Sequence, residues 1–283
     1  MSIDQLETGS FATQEHAAGG KTSIHMVCWN IARGSKLEGV VDFLSASNAD
    51  LVLLQETDRD ARRTGYRNIA REIAQKLGMN YAFGVEFEEL GQGNGKLPAH
   101  HGQATLSVWP LSNTRVLRFR RQSKFWRPFW WTPEVAWTQR RLGGRIALVS
   151  QLAIGAEELA VYNLHLESRR SNELRCAQIR EVLEDSRRYG CAAVVIGGDC
   201  NFDLRQGPAA SVIEQMGFHN PFKDVVADTA RFRRLGRSGA IDWILLGGPL
   251  SARDPQVHSS ISASDHFPLS ITLELQNNIA PAR

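Results

Sequence analysis

Six short apolar stretches of this chain each carry an isolated polar side chain of a type that binds cations or moves protons. Asn30 lies in Cys28-Trp29-Asn30-Ile31, and Glu56 follows Leu53-Leu54-Gln55. His165 interrupts Val161-Tyr162-Asn163-Leu164-His165-Leu166. Asp199 and Asn201 follow Val194-Val195-Ile196-Gly197-Gly198. Asp242 sits in Ile241-Asp242-Trp243-Ile244-Leu245, and Asp265 and His266 precede Phe267-Pro268-Leu269. Apolar runs this short read as buried strands. Loops at strand ends converge on one rim of a sheet, so the pattern predicts one polar cluster on an apolar scaffold. Taken singly, each residue is explained by a turn or a hydrogen-bonded core position. The set and its order carry the constraint.

The rest of the chain fits around those strands. Leu37, Val40, Val41 and Leu44 recur at helical spacing, as do Ile69, Ile73, Ala74 and Leu77 before Gly78. Strand-like pieces follow at 81–87, 104–109, 115–119, 145–153 and 158–166, with a hairpin turn at Ala153-Ile154-Gly155-Ala156. A helix is predicted from Ser171 and another near 209–216. Late strands are predicted at 241–246 and 269–275. A run of strands without a strict βαβα repeat predicts mixed sheets covered by helices, an α+β arrangement. Residues 1–22 are polar and aperiodic and read as a flexible N-terminal tail, with a single domain over 23–283.

Composition excludes several classes. Hydrophobic residues at 42% and charged residues at 22% are globular values. No apolar run approaches the ~20 residues of a membrane helix, and the N-terminus lacks the order of a signal peptide, which predicts a cytoplasmic protein. Cys28, Cys176, Cys191 and Cys200 lack the CxxC spacing of a zinc ribbon and read as free thiols. The formal charge is +3, with 27 Arg among the 33 basic residues; the guanidinium fork suits phosphate.

Carboxylate and amide oxygens together suit a hard cation such as Mg²⁺, and imidazoles beside carboxylates suit phosphate contact and proton transfer. The segments WNIARG, LLQETD, NLHLES, GGDCNFD, IDWILL and SDHFPL, in this order, resemble the signatures of the endonuclease/exonuclease/phosphatase superfamily. The resemblance spans about residues 24–275. It implies a DNase I-like four-layer αββα sandwich and a phosphodiesterase or phosphatase dependent on Mg²⁺ or Mn²⁺. By that resemblance Glu56 is the principal metal carboxylate, Asn30 holds metal water or phosphate, and Asp265 helps hold the metal. Asp199 and Asn201 align or deprotonate the attacking water. His266 faces the phosphate with Asp242 fixing its tautomer, and His165 is the second histidine of the site. Which group is acid and which is base stays open.

The chain departs from the family pattern at His101-Gly102-Gln103-Ala104-Thr105-Leu106-Ser107-Val108. Gln103 stands where a shorter amide is usual and is expected to contact substrate, and Val108 replaces an Arg. His100 and His101 either line the site or sit in a surface loop. Asn163-Leu164-His165 resembles the DNase I, sphingomyelinase, phosphoinositide-phosphatase and deadenylase branches more than the abasic-site endonucleases.

Residues 115–145 hold eight Arg and Lys124 against one acid, Glu134, together with Trp126, Trp130, Trp131 and Trp137. Cations interleaved with aromatics grip a phosphate backbone and stack bases. The same composition suits an anionic membrane surface, or a long hairpin whose aromatics pack on the sheet. Arg141 is expected to touch substrate phosphate, and the basic loop Arg231-Phe232-Arg233-Arg234 to Arg237 to tune binding. The favoured substrate is nucleic acid, cleaved by a monomer. The alternatives are a phospholipid or phosphoinositide headgroup, and a non-catalytic binding module, against which the intact polar set argues.

Overall fold

A computed structural model describes residues 6–12, 23–123, 131, 133, 135–169, 171–225, 227–232 and 237–276. Two mixed sheets face each other. The first runs β1 (Leu6–Gly9), β4 (Asn80–Glu89), β5 (His100–Ser107), β3 (Leu51–Arg59), β2 (Ser23–Arg33), β16 (Leu269–Leu275) and β15 (Leu250–Val257), with β7 (Arg141–Gly143) also on β4. The second runs β11 (Phe218–His219), β14 (Asp242–Gly247), β10 (Ala193–Asp199), β9 (Glu157–His165), β8 (Ile146–Ile154) and β6 (Ser112–Arg118). A small ribbon pairs β12 (Ala230–Phe232) with β13 (Arg237–Gly239).

Helices cover the outer faces. On the first sheet lie α1 (Leu37–Ser47) and α2 (Ile69–Leu77), whose buried residues are the ones at helical spacing. Phe43 of α1 packs edge-on against Trp29 of β2, with ring centroids 5.5 Å apart. On the second lie α3 (Asn172–Tyr189) and α4 (Pro208–Gln215). The result is the predicted four-layer αββα sandwich. Among the described residues no helix is long and apolar enough to cross a membrane.

Between the sheets the core is largely apolar, and amides bridge it. Gln55 Nε2 donates to Asn163 Oδ1 across the sheets at 2.7 Å, and Asn163 Nδ2 donates to the main-chain oxygens of Leu54 and Ala104. Buried polar groups need such partners, and these fix how the two sheets meet. The Gly197-Gly198 pair answers two close approaches, one from the facing sheet and one from the neighbouring strand β9. A Cβ on Gly197 would lie 2.9 Å from Leu53 of the facing sheet, and one on Gly198 would lie 1.9 Å from the Leu164 main-chain oxygen.

Two expectations need correction. Residues 6–9, read as part of the tail, form β1, in register with β4 from Leu6↔Gly84 to Gly9↔Tyr81. Glu7 anchors the strand by accepting from Tyr81 Oη and Asn68 Nδ2 and pairing with Arg59; four residues are too few for a periodic signal. The described ends of segment 115–145 do not pair with each other as a hairpin. Its start belongs to β6 of the second sheet and its end to β7 of the first. To the expected late strands at 241–246 and 269–275 the structure adds β15, which carries a register shift between Arg253 and Gln256, around Pro255. Lys124, Trp126, Trp130, Glu134, Arg233 and Arg234 lie outside the described residues.

Candidate active site

Strand register builds the centre of the site. Asp199, the last residue of β10, pairs with His165 of β9 on one side and Asp242 of β14 on the other. Three side chains capable of proton chemistry thus stand in one row. Across the gap, Asn30 of β2 donates from Nδ2 to Asp199 Oδ2 at 3.0 Å. The Asn201 main-chain N–H donates to Asp199 Oδ1 at 2.9 Å, while its side chain donates to the Leu166 oxygen. Asn201 adopts φ 57° to do so, a conformation that asparagine tolerates better than most residues.

His266 closes the row from the loop before β16. Its Nδ1 lies 2.9 Å from Asp242 Oδ2, and its Nε2 is 3.8 Å from Asp199 Oδ2. An ionised carboxylate only accepts, so Nδ1 carries the proton of that bond. The loop is pinned by Trp29 Nε1, which donates to the His266 oxygen, and by Ser264 Oγ, which donates to the Asn30 oxygen. Burial would lower the imidazolium pKa, but Asp242 and Asp199 raise it to about 10. Burial raises Asp242 itself, with His266 opposing.

Thr229 was not foreseen. Its hydroxyl donates to Asp242 Oδ2 at 2.7 Å and accepts from the main-chain N–H groups of Ile241 and Asp242. A lone threonine in a loop gives no sequence signal for this position.

His165 has a different setting. Its Nδ1 lies 3.0 Å from Glu86 Oε1, and its Nε2 is 3.5 Å from Asp199 Oδ2. Arg145 Nη1 lies against the same ring, 2.8 Å from Nδ1, and pairs with Glu86 Oε2 at 2.9 Å. Burial would raise the Glu86 carboxyl, but His165 and Arg145 hold it well below the usual carboxylate range. Gln103 also donates to Glu86 Oε1, as well as to the Ile146 oxygen, and it accepts from Leu148 N–H. The expected substrate contact by Gln103 is therefore corrected: the residue is fully buried, its amide is occupied, and it positions Glu86. His100 and His101 are likewise not surface residues but buried on β5, with His101 Nδ1 2.8 Å from Asp58.

Bulges aim the side chains on this rim of the first sheet. The β2–β3 register shifts between Asn30 and Arg33, the β3–β5 register between Leu54 and Thr57, and the β4–β5 register between Val85 and Phe87. The extra residues include Glu56 and Glu86. Bulges re-aim side chains and collect beside functional sites. Glu56 takes φ 51°, a conformation that costs a non-glycine residue about 1–2 kcal/mol. Burial would raise its carboxyl, but His101, His165, Arg33 and His266 bring it down to about 2.

Glu56 lines a cavity of about 820 Å³ whose wall includes Arg33, Arg63, Arg140, Arg141, Arg145 and Arg169. Arg141 pairs with Glu89 at 2.7 Å and lies over the Phe87 ring. Trp131 and Trp137 are 63% and 84% exposed, so these two aromatics do not pack on a sheet. Asp265 is exposed beside His266, and its main-chain oxygen accepts from Arg231 N–H. Among the described residues, the one group of three or more His, Cys, Asp or Glu side chains with ligand atoms all within 4.8 Å is Asp199, Asp242 and His266. Two of its members already bind each other.

Comparison with solved structures gives the same fold. The endonuclease/exonuclease/phosphatase from Beutenbergia cavernae is 19% identical, with TM-score 0.66, over 93% of this chain and 74% of that one. The catalytic domain of human Nocturnin with a bound sulfate anion is 17% identical, with TM-score 0.65, over 96% and 97%. Truncated TDP2 from Caenorhabditis elegans is 18% identical, with TM-score 0.60, over 89% and 98%. A comparison with curated protein sequences gives no match. The model of the Endonuclease/Exonuclease/phosphatase family matches residues 27–266, from β2 through His266. With the whole polar row inside the matched span, this chain belongs to the endonuclease/exonuclease/phosphatase family.

Proposed function

We propose that the chain is a divalent-metal-dependent phosphodiesterase acting on nucleic acid. The observation that carries this reading is the Asp199 row: a carboxylate flanked by two histidine–carboxylate pairs, near an ionised Glu56 and a cavity rich in guanidinium groups. Phosphoryl transfer depends mainly on positioning and on stabilising charge at the phosphate oxygens. His266 is charged at neutral pH; it donates from Nδ1 to Asp242 and offers Nε2–H to a phosphate oxygen. Asp199, held by Asn30 and Asn201, orients the attacking water and accepts its proton. His165 faces Asp199 from the other side, oriented by Glu86 and Arg145.

The donor set suits Mg²⁺ or Mn²⁺, since such ions are held by one or two carboxylates plus waters and substrate phosphate. Glu56 would be the principal ligand, with the Asn30 oxygen and the exposed Asp265 carboxylate as the others. The ion supplies Lewis-acid neutralisation of phosphate charge.

The test is hydrolysis of bis-p-nitrophenyl phosphate with Mg²⁺ or Mn²⁺ against EDTA, beside Asp199→Ala, followed by single- and double-stranded DNA and RNA. Metal-dependent diester cleavage lost in the variant is expected. Intact nucleic acids would remove the substrate assignment, and no hydrolysis together with no calorimetric metal binding would remove the enzyme reading. The exposed Trp131, Val135 and Trp137 favour a phospholipid headgroup as second reading. Its check is binding to anionic vesicles that Trp137→Ala weakens.

A further inference from the structure

The charges around the 820 Å³ cavity are unequally matched. Arg63 pairs with Asp58 and Glu89, Arg141 with Glu89, and Arg145 with Glu86. Among the described residues Arg33 and Arg140 make no close ion pair with a carboxylate, although Arg33 helps to lower the Glu56 carboxyl from a greater distance. Arg33 stands at the bulged end of β2 with φ 71°, and its Nε is buried without a hydrogen-bond partner. Such an atom is costly to bury. Arg140 enters the same cavity from the loop that carries the exposed Trp137. Six arginines against Glu56 and Glu89 leave the concave wall with a net positive charge, which focuses the field on an incoming anion. The volume is that of a small-ligand site, larger than one scissile phosphate needs.

We propose that Arg33 and Arg140 form a second phosphate subsite, so that the preferred substrate is a nucleotide chain end bearing a terminal phosphate beside the scissile diester. This rests on the phosphodiesterase reading above. Guanidinium binds phosphate through charge-assisted, often bidentate hydrogen bonds, and the Trp137 indole offers a face on which the terminal base stacks. The proposal separates this site from a groove that tracks a continuous backbone, where a terminal phosphate would add nothing.

Two measurements on the full chain test it. Inorganic pyrophosphate is titrated calorimetrically into metal-free wild type and Arg140→Gln, the latter an exposed position. In parallel, kcat/KM is compared for the thymidine dinucleotide without a terminal phosphate and with one at its 5′ or 3′ end. Charge-assisted hydrogen bonds contribute enough for a change of ~10-fold or more. Pyrophosphate binding weakened to that extent by Arg140→Gln is expected, with a similar preference for one phosphorylated dinucleotide that the variant loses. Equal rates for the three dinucleotides, or pyrophosphate binding indifferent to Arg140, would overturn the subsite. Arg140-dependent pyrophosphate binding without cleavage of any dinucleotide would support the subsite and count against the phosphodiesterase reading instead. A preference confined to a phosphorylated glycerophosphoinositol would overturn the nucleotide assignment.

Discussion

The two histidines that flank Asp199 look alike in the sequence but are supported in different ways. His266 sits on a loop at the rim, 8% exposed, and the charged groups hydrogen-bonded or nearest to it are the carboxylates Asp242 and Asp199. His165 is a strand residue between the two sheets. Its carboxylate, Glu86, is shared with Gln103 of β5 and with Arg145, which lies just before β8. Charge on the first histidine is held by carboxylates against the cost of burial. Placement of the second is set by a cross-sheet network whose members also hold the sandwich together. The two sides of the same carboxylate therefore differ in how far their support is shared with the framework.

The comparison can be broken first at His266. His266→Gln is expected to cut kcat on a diester substrate by about 10²–10⁴-fold, the usual range for a proton-transferring group. Chemical denaturation should shift as well, because the variant takes the imidazolium from buried Asp242, but less than where no other donor remains, since Thr229 still donates to that carboxylate. Glu86→Gln is expected to cost more stability than His266→Gln, on top of the rate lost when His165 loses its orienting carboxylate. It leaves the buried Arg145 without its carboxylate, and breaking a buried pair costs about 3–5 kcal/mol. The denaturation midpoint should fall sharply, and equal midpoints for the two variants would remove the distinction drawn here. Gln103→Leu tests the same network more gently. The loss of bonds to Glu86, Ile146 and Leu148 should cost about 1–3 kcal/mol, with KM unchanged because the side chain does not reach substrate.

The smallest expected effect is a slope. The His266 pKa of about 10 lies above the ordinary 6.5, so the imidazolium contributes its stability in full below pH 6.5 and loses it as pH rises towards 10. Melting temperature should decline over that window, and less so in His266→Gln. Glu56 has the opposite sign. Held at about 2 against the ordinary 4.5, it contributes stability above pH 4.5 that is lost as pH falls towards 2.

These differences explain what could be read from the sequence. Asp242 and His266 stand out because a charged or imidazole side chain inside Ile-Asp-Trp-Ile or before Phe-Pro breaks an apolar pattern. Glu86 does not stand out. It lies in Gly84-Val85-Glu86-Phe87-Glu88, where alternation makes it look like an outward-facing residue; only the β-bulge turns it inward. Arg145 precedes a strand and resembles any solvated flank. Gln103 was visible as a departure from a family pattern, yet its burial against the second sheet depends on packing that no local window contains. The helices were legible because their buried faces repeat at 3.6 residues, whereas β1 and β7 are too short to repeat at all.

The outer edge of β4 has a further consequence. β1 covers it at Tyr81–Gly84 and β7 covers it at Phe87–Glu89. Both are short strands contributed by distant parts of the chain. An uncovered edge of a large sheet is a template for pairing with another molecule. A truncation that begins after Gly9 would bare one half of that edge while leaving every group of the polar row in place. Such a protein is expected to keep the polar row and to associate with itself through the bared edge, which light scattering against the full chain would check.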